Sequence, residues 1–126
     1  MFDKGDIDER YYYKQDAYMY KDLKKAIVSK NTVYQWRRVY VRENKSGECP
    51  TLTANMGTGG HNVPLIKDDL GIRKLTPREC LNFQGFPKSF KFPDDMPISQ
   101  RYKQAGNAVT VNLITKIAKI ISTSIR

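Results

Sequence analysis

Arg73-Lys-Leu-Thr-Pro-Arg-Glu-Cys-Leu-Asn-Phe-Gln-Gly-Phe-Pro87 is the stretch on which the reading of this chain turns. It spells a short helix with both ends marked. Thr76 is a favoured N-cap, Pro77 fits the first helical position, and Glu79 stands three residues after the cap. This is a capping box: the Thr76 hydroxyl accepts from the Glu79 amide, and the Glu79 carboxylate accepts from the Thr76 amide. Leu81 and Phe83 give the helix apolar contacts. Gly85 supplies a left-handed residue at its end, and Pro87 forbids continuation.

Length and charge narrow the possibilities around this element. The chain has 126 residues, enough for one modest core. Its 22 Lys and Arg against 13 Asp and Glu give a formal charge of +9, which favours a polyanionic partner, nucleic acid before an anionic membrane. No apolar run approaches the ~20 residues of a membrane span, and the polar start Met1-Phe-Asp-Lys-Gly-Asp6 predicts no secretion signal. Cys49 and Cys80 are the only cysteines and His61 the only histidine, so a four-ligand Cys/His zinc site cannot be built and no metal is expected. Two cysteines without a secretion signal read as free thiols in a reducing cytoplasm.

Upstream, Met1–Arg10 is charged and aperiodic, and five tyrosines follow between Tyr11 and Tyr20. They read as amphipathic packing, with nucleic-acid contact as the rival. Asp22–Val28 predicts a short helix with Leu23, Ala26 and Ile27 inward. Thr32–Arg42 reads as one β-strand. Its faces are Tyr34, Trp36, Arg38, Tyr40, Arg42, suited to DNA, and Val33, Gln35, Arg37, Val39, Val41, suited to the core. Asn44–Glu48 reads as a turn, Pro50–Ala54 as a short strand, and Asn55–Asn62 as a glycine-rich loop whose backbone can approach a ligand closely. His61 reads as a polar loop residue. Val63–Ile66 and Ile72–Leu75 are extended, Pro87–Pro97 is loop, and Ser99–Gln104 is a turn of helix. Gly106-Asn107 is expected to open a long helix to about Ser122. Val109, Val111, Leu113, Ile114, Ile117, Ala118, Ile120 and Ile121 make it apolar over more than one stripe, which asks for a partner surface.

The stretch Arg73–Pro87 and the downstream Gln104-Ala-Gly-Asn-Ala-Val109 together resemble the last two motifs of DNA (cytosine-5) methyltransferases, R-x-L-T-x-R-E-x-x-x-x-Q-G-F-P followed by G-N-x-V. The resemblance implies a role and a division of labour. In that family a Rossmann-like catalytic domain binds S-adenosylmethionine, a smaller target-recognition domain reads double-stranded DNA, and the target cytosine is flipped out of the duplex. The family's Pro-Cys nucleophile and Glu-Asn-Val glutamate have no counterpart here: Cys49 precedes Pro50, and Cys80 lies inside the capped helix. No catalytic residue is therefore expected in this chain, and the isolated chain is expected to be inactive.

Carried over by position, Gln35 and Arg38 match residues that enter the DNA helix, with Arg37 or Arg42 able to take that role. Thr51-Leu52 matches a pair whose threonine holds a phosphate. Asn55 to Gly60, with Gly57 and Gly59, matches the second recognition loop. Arg73, Thr76, Pro77, Arg78, Glu79 and Gln84 match residues that organise the recognition domain, with Arg73 and Arg78 also touching phosphate. Asn107 and Ala108 match one wall of the methyl-donor pocket. The implied architecture is α+β: an N-terminal segment over 1–31, a small, mainly β recognition domain over 32–97, and a C-terminal segment over 98–126 whose helix packs on a Rossmann-like domain outside the chain. The implied partners are DNA and a catalytic N-terminal domain or subunit, in the cytoplasm of a bacterium and within a restriction–modification system. Self-association through the last helix is expected when the partner is absent. A stand-alone DNA-binding or interaction module is the alternative.

Overall fold

Local sequence chemistry accounts for most of the small elements of the computed structural model, which describes residues 2–3, 5–37, 40–44, 48–58 and 62–125. Helix α1 spans Tyr20–Ala26, and strands β1 and β2 span Val33–Arg37 and Tyr40–Asn44. Strands β3 (Leu65–Lys67) and β4 (Ile72–Lys74) precede helices α2 (Pro77–Phe83), α3 (Ile98–Asn107) and α4 (Val111–Ser124). The strands form one antiparallel sheet in the order β2-β1-β3-β4. The architecture is α+β, with a long C-terminal helix.

Period-two alternation gives the sheet two covered faces. Tyr34, Leu65 and Ile72 join Leu23 of α1 and the flanking Met19 and Ile27 in one apolar cluster. Val33 and Ile66, the chain neighbours of Tyr34 and Leu65, face the other way. They pack with Leu52, Met56, Leu75, Cys80 and Leu81, and with Tyr102 and Ala105 of α3. The Tyr102 hydroxyl donates to the buried Leu75 carbonyl at 2.6 Å.

The capping box of α2 forms as the sequence specifies: Glu79 N–H donates to Thr76 Oγ1 at 3.1 Å and Thr76 N–H to Glu79 Oε2 at 2.8 Å. Gly85 takes φ of +83°, the left-handed conformation that ends the turn. The Glu79 carboxylate does more than cap. Fully enclosed, it also receives both terminal nitrogens of Arg73, at 2.8 and 2.9 Å, and the Asp3 N–H at 2.9 Å.

Several expectations are corrected. Thr32–Arg42 is not one strand but most of a hairpin, with Gln35 opposite Arg42 and Arg37 opposite Tyr40. The pairing of β1 with β2 therefore puts Arg42 on the face of Gln35 and Arg37. Tyr34, assigned to the DNA face, is instead buried in the core. Asn44 ends β2 rather than opening a turn. Pro50–Thr53 has no regular structure, and Ala54–Thr58 is a 3-10 helix.

Gly106-Asn107 does not open the last helix. It lies in the final turn of α3, which is a full helix from Ile98 rather than a single turn. The chain then breaks at Ala108–Thr110, and α4 begins at Val111. Gln84 compensates for the break: its Nε2 donates to the carbonyls of Ala105 (3.2 Å) and Ala108 (3.1 Å), its Oε1 accepts from the Thr110 hydroxyl (3.1 Å), and its backbone carbonyl accepts from Val111 N–H (2.8 Å). Helix α4 buries none of its residues; Leu113, Ile114, Ile117, Ile120 and Ile121 are all exposed.

Candidate nucleic-acid interface

The β1–β2 hairpin carries the most concentrated exposed polar chemistry among the positions singled out from the sequence. Gln35, Arg37 and Arg42 line one groove with Asn44, Glu48 and Thr51, about 400 Å³ in volume. Cross-strand pairing does the gathering: Gln35 faces Arg42, and Asn44 follows two residues along the same face of β2. Arg37, Arg42, Glu48 and Thr51 are exposed, Gln35 and Asn44 half-buried. Thr32 Oγ1 donates to the Asn44 carbonyl at 2.6 Å, and Asn44 Nδ2 to the Glu48 carbonyl at 3.3 Å, which ties the end of β2 to the segment that follows.

A second cavity of about 390 Å³ lies between Cys49–Leu52 and the α3–α4 joint, bounded by Gln84, Ala108 and Thr110. Cys49, Pro50 and Thr51 line both spaces and so form the wall between them. Burial pushes the Cys49 thiol up to about 12, and burial likewise raises that of Cys80. Neither sulfur is activated as a thiolate nucleophile.

The remaining positions divide sharply. Arg73 is about 1% exposed and bonds to Asp68, Glu79 and the Lys74 carbonyl, so it cannot touch a phosphate. Burial opposes its charge, but Glu79 and Asp68 outweigh that and raise its pKa. Burial would raise the Asp68 carboxyl too, but bonds from Tyr12, Arg73 and the N–H groups of Leu70 and Gly71 hold it below the usual carboxylate range. Arg78 is also structural. Its guanidinium donates to Asn82 Oδ1 and to the carbonyls of Phe86, Pro87 and Phe90, pinning the loop after α2.

Gly57 serves close packing inside the chain rather than approach to a ligand: a Cβ there would lie 2.7 Å from the Ser99 carbonyl of α3. Asn55 sits exposed in the same 3-10 turn. Arg38, Gly59, Gly60 and His61 lie outside the described residues. Asn107 is exposed at the end of α3, and Ala108 is half-buried beside it. Ala108 lines the second cavity, whereas Asn107 is not part of its lining. Asn44, Glu48 and Thr53 were not among the positions chosen from the sequence. Recognising a hairpin at Val33–Asn44 would have placed Asn44 beside Arg42.

Among the described residues no group of three or more His, Cys, Asp or Glu could hold a metal ion, and no helix is long and apolar enough to cross a membrane.

Comparison with known proteins places the chain in a family. The profile of the C-5 cytosine-specific DNA methylases matches residues 3–123, and the chain belongs to that family. The type II methyltransferase M.Bsp6I of Bacillus sp. (strain RFL6) is 60% identical over 116 residues, which is 91% of this chain and 36% of the relative. The type II methyltransferase M.MspI of Moraxella sp. is 34% identical over 120 residues, 89% of this chain and 24% of the relative. The human tRNA (cytosine(38)-C(5))-methyltransferase is 40% identical over 52 residues, 41% of this chain and 13% of the relative. The chain thus spans about a third or less of these relatives. No solved structure matches.

Proposed function

We propose that this chain is the DNA-recognition part of a cytosine-5 DNA methyltransferase of a bacterial restriction–modification system. It grips and reads duplex DNA, and it completes a Rossmann-like catalytic portion that lies outside it. The observation carrying this reading is the groove that gathers Gln35, Arg37, Arg42 and Thr51 on one open face. Guanidinium forks suit both phosphate and guanine, and a net charge of +9 favours encounter with DNA.

In this reading residues 32–97 form the recognition unit, 1–31 support it, and 98–126 lead back to the catalytic portion. Only α4 leaves the body of the chain, because α3 is packed into it. The catalytic portion covers the apolar face of α4, since an uncovered row of leucine and isoleucine is costly in water. S-adenosylmethionine, held by that portion, supplies the methyl group. Asn107 offers it an exposed carboxamide, and Ala108 a small apolar surface.

The test has two arms. The chain should bind duplex DNA with an affinity that falls steeply with salt, and replacing Gln35, Arg37 and Arg42 together by alanine should flatten that salt dependence. Supplying the catalytic portion in trans should give methyl transfer to cytosine in DNA, with the same triple variant silent. Retention of DNA by the triple variant with an unchanged salt slope would refute the assignment of the groove.

A further inference from the structure

We propose that the exposed face of α3 is a rail for the sugar–phosphate backbone of the DNA held in the groove, with the Lys103 ammonium pairing to one phosphate and Ser99, Gln100 and Gln104 donating to phosphate oxygens around it. This rests on the reading of the groove as a DNA interface and adds the element that sets the duplex in position there. Helix α3 buries Tyr102 and Ala105 and leaves these four residues exposed on its other side. Each of the four carries an N–H or O–H donor, and the helix has no Asp or Glu. Its other cation, Arg101, is spent on the carbonyls of Pro93, Asp94 and Met96. Lys103 is therefore the charge of this helix available to a ligand. Among the described residues none of the four side chains has a hydrogen-bond or ion-pair partner. A merely wetted helix face usually alternates both signs of charge; this one sets uncharged donors around a single cation.

Close backbone packing fixes where this face lies. A Cβ at Gly57 would meet the Ser99 carbonyl at 2.7 Å and the Lys103 Cβ at 3.0 Å, so the 3-10 turn Ala54–Thr58 rests directly against the Ser99–Lys103 edge of α3. Further along the helix, Gly106 sits against the Thr53 peptide. Thr53 in turn lines the groove with Gln35, Arg37 and Arg42. Lys103 thus stands three residues, about 4.5 Å along the helix axis, from the point where α3 touches the groove. Phosphate oxygens accept hydrogen bonds and carry negative charge, which complements donors grouped around a cation. Contacts of this kind fix the register of a duplex without reading its sequence.

The test is fluorescence anisotropy of the full chain with two labelled duplexes of unrelated sequence across a salt series. Lys103→Ala should weaken binding to both equally and lower the slope of log K against log salt by about 0.9, the share of one phosphate contact. Lys103→Arg should keep the wild-type slope. Ser99→Ala, Gln100→Ala and Gln104→Ala combined should weaken both complexes at an unchanged slope, because no charge is removed. Lys24 is exposed on α1, across the sheet from the groove. Lys24→Ala removes the same net charge and should leave the slope as it was. The proposal is overturned if Lys103→Ala keeps the wild-type slope or if Lys24→Ala lowers it as much. It is overturned as well if the loss differs between the two duplexes, which would mean a base edge rather than the backbone. If the wild type binds neither duplex, the interface reading falls too. A slope flattened by the Gln35, Arg37 and Arg42 triple variant but untouched by Lys103→Ala overturns this inference alone.

Discussion

Gly106 is the position where one added methyl group should do the most harm. A Cβ built there would lie 2.0 Å from the Thr53 carbonyl oxygen, 2.1 Å from its carbon and 2.6 Å from Ala54 N. Non-bonded carbon contacts need about 3.5 Å, so α3 and the Thr53–Ala54 peptide must separate by more than an ångström. Both partners are backbone, and no side-chain rotation can relieve the clash. Against this, alanine is the better helix former by about 1 kcal/mol. Overpacking costs about 1–3 kcal/mol, and a backbone-to-backbone clash belongs at the upper end. The net expectation for Gly106→Ala is a loss of about 2 kcal/mol, or a fall of roughly 8 °C in Tm for a chain of this size. Thermal melts followed by circular dichroism should rank Gly5→Ala, with nothing within 4 Å, near wild type. Gly57→Ala should be intermediate and Gly106→Ala worst. A Gly106→Ala chain that melts at or above the wild-type temperature would refute the reasoning.

Removing the Glu79 carboxylate should be comparably severe. Glu79→Ala leaves the enclosed Arg73 guanidinium without its forked partner and uncaps α2, an expected loss of about 3–5 kcal/mol by urea denaturation; a loss below about 1 kcal/mol would contradict the pairing. The depressed Asp68 carboxyl sets an acid limit. Its contribution is fully present above the unfolded value near pH 4 and is lost as pH falls through the lower folded value. Asp68→Asn should therefore flatten the stability profile below about pH 4, and an unchanged acid limb would show that Asp68 is not responsible. Cys49 and Cys80, both raised by burial, should resist iodoacetamide in the native chain at neutral pH and react once it is unfolded in urea. Rapid native labelling of Cys49, read by mass spectrometry, would mean that its surroundings are open.

The parts of the fold legible in the sequence were those governed by contacts a few residues apart. Thr76, Glu79 and Gly85 carry the whole grammar of α2 within ten positions, and Leu23 of α1 and Ile27 at its cap are buried as their spacing predicts, although Ala26 is exposed. Thr32–Arg42 alternates plausibly as a single strand, and only pairing reveals that Arg42 lies beside Gln35. The motif G-N-x-V predicts a helix opening at Gly106; what uses the glycine is the Thr53 peptide, more than fifty residues away. The candidate site was legible as a list and not as a place. The family resemblance selects Gln35, Arg37, Arg42 and Thr51, and equally Arg73 and Arg78, whose partners Glu79 and Phe90 occupy them inside the fold. An arginine's sequence context does not reveal whether its guanidinium is already engaged.

The joint at Gln84 gives α4 the character of a lever. The helix is anchored at one end only, through bonds from Gln84 to Ala108, Thr110 and Val111, and its fourteen residues extend about 21 Å at 1.5 Å per residue. A tilt of roughly ten degrees at the anchor would carry the far end through about 4 Å over that length, roughly two-thirds of the rise of a helical turn. One glutamine side chain, set at the end of the capped helix, thereby fixes where isoleucines two and three turns away arrive, and a change as small as Gln84→Ala would be felt most where no atom has been altered.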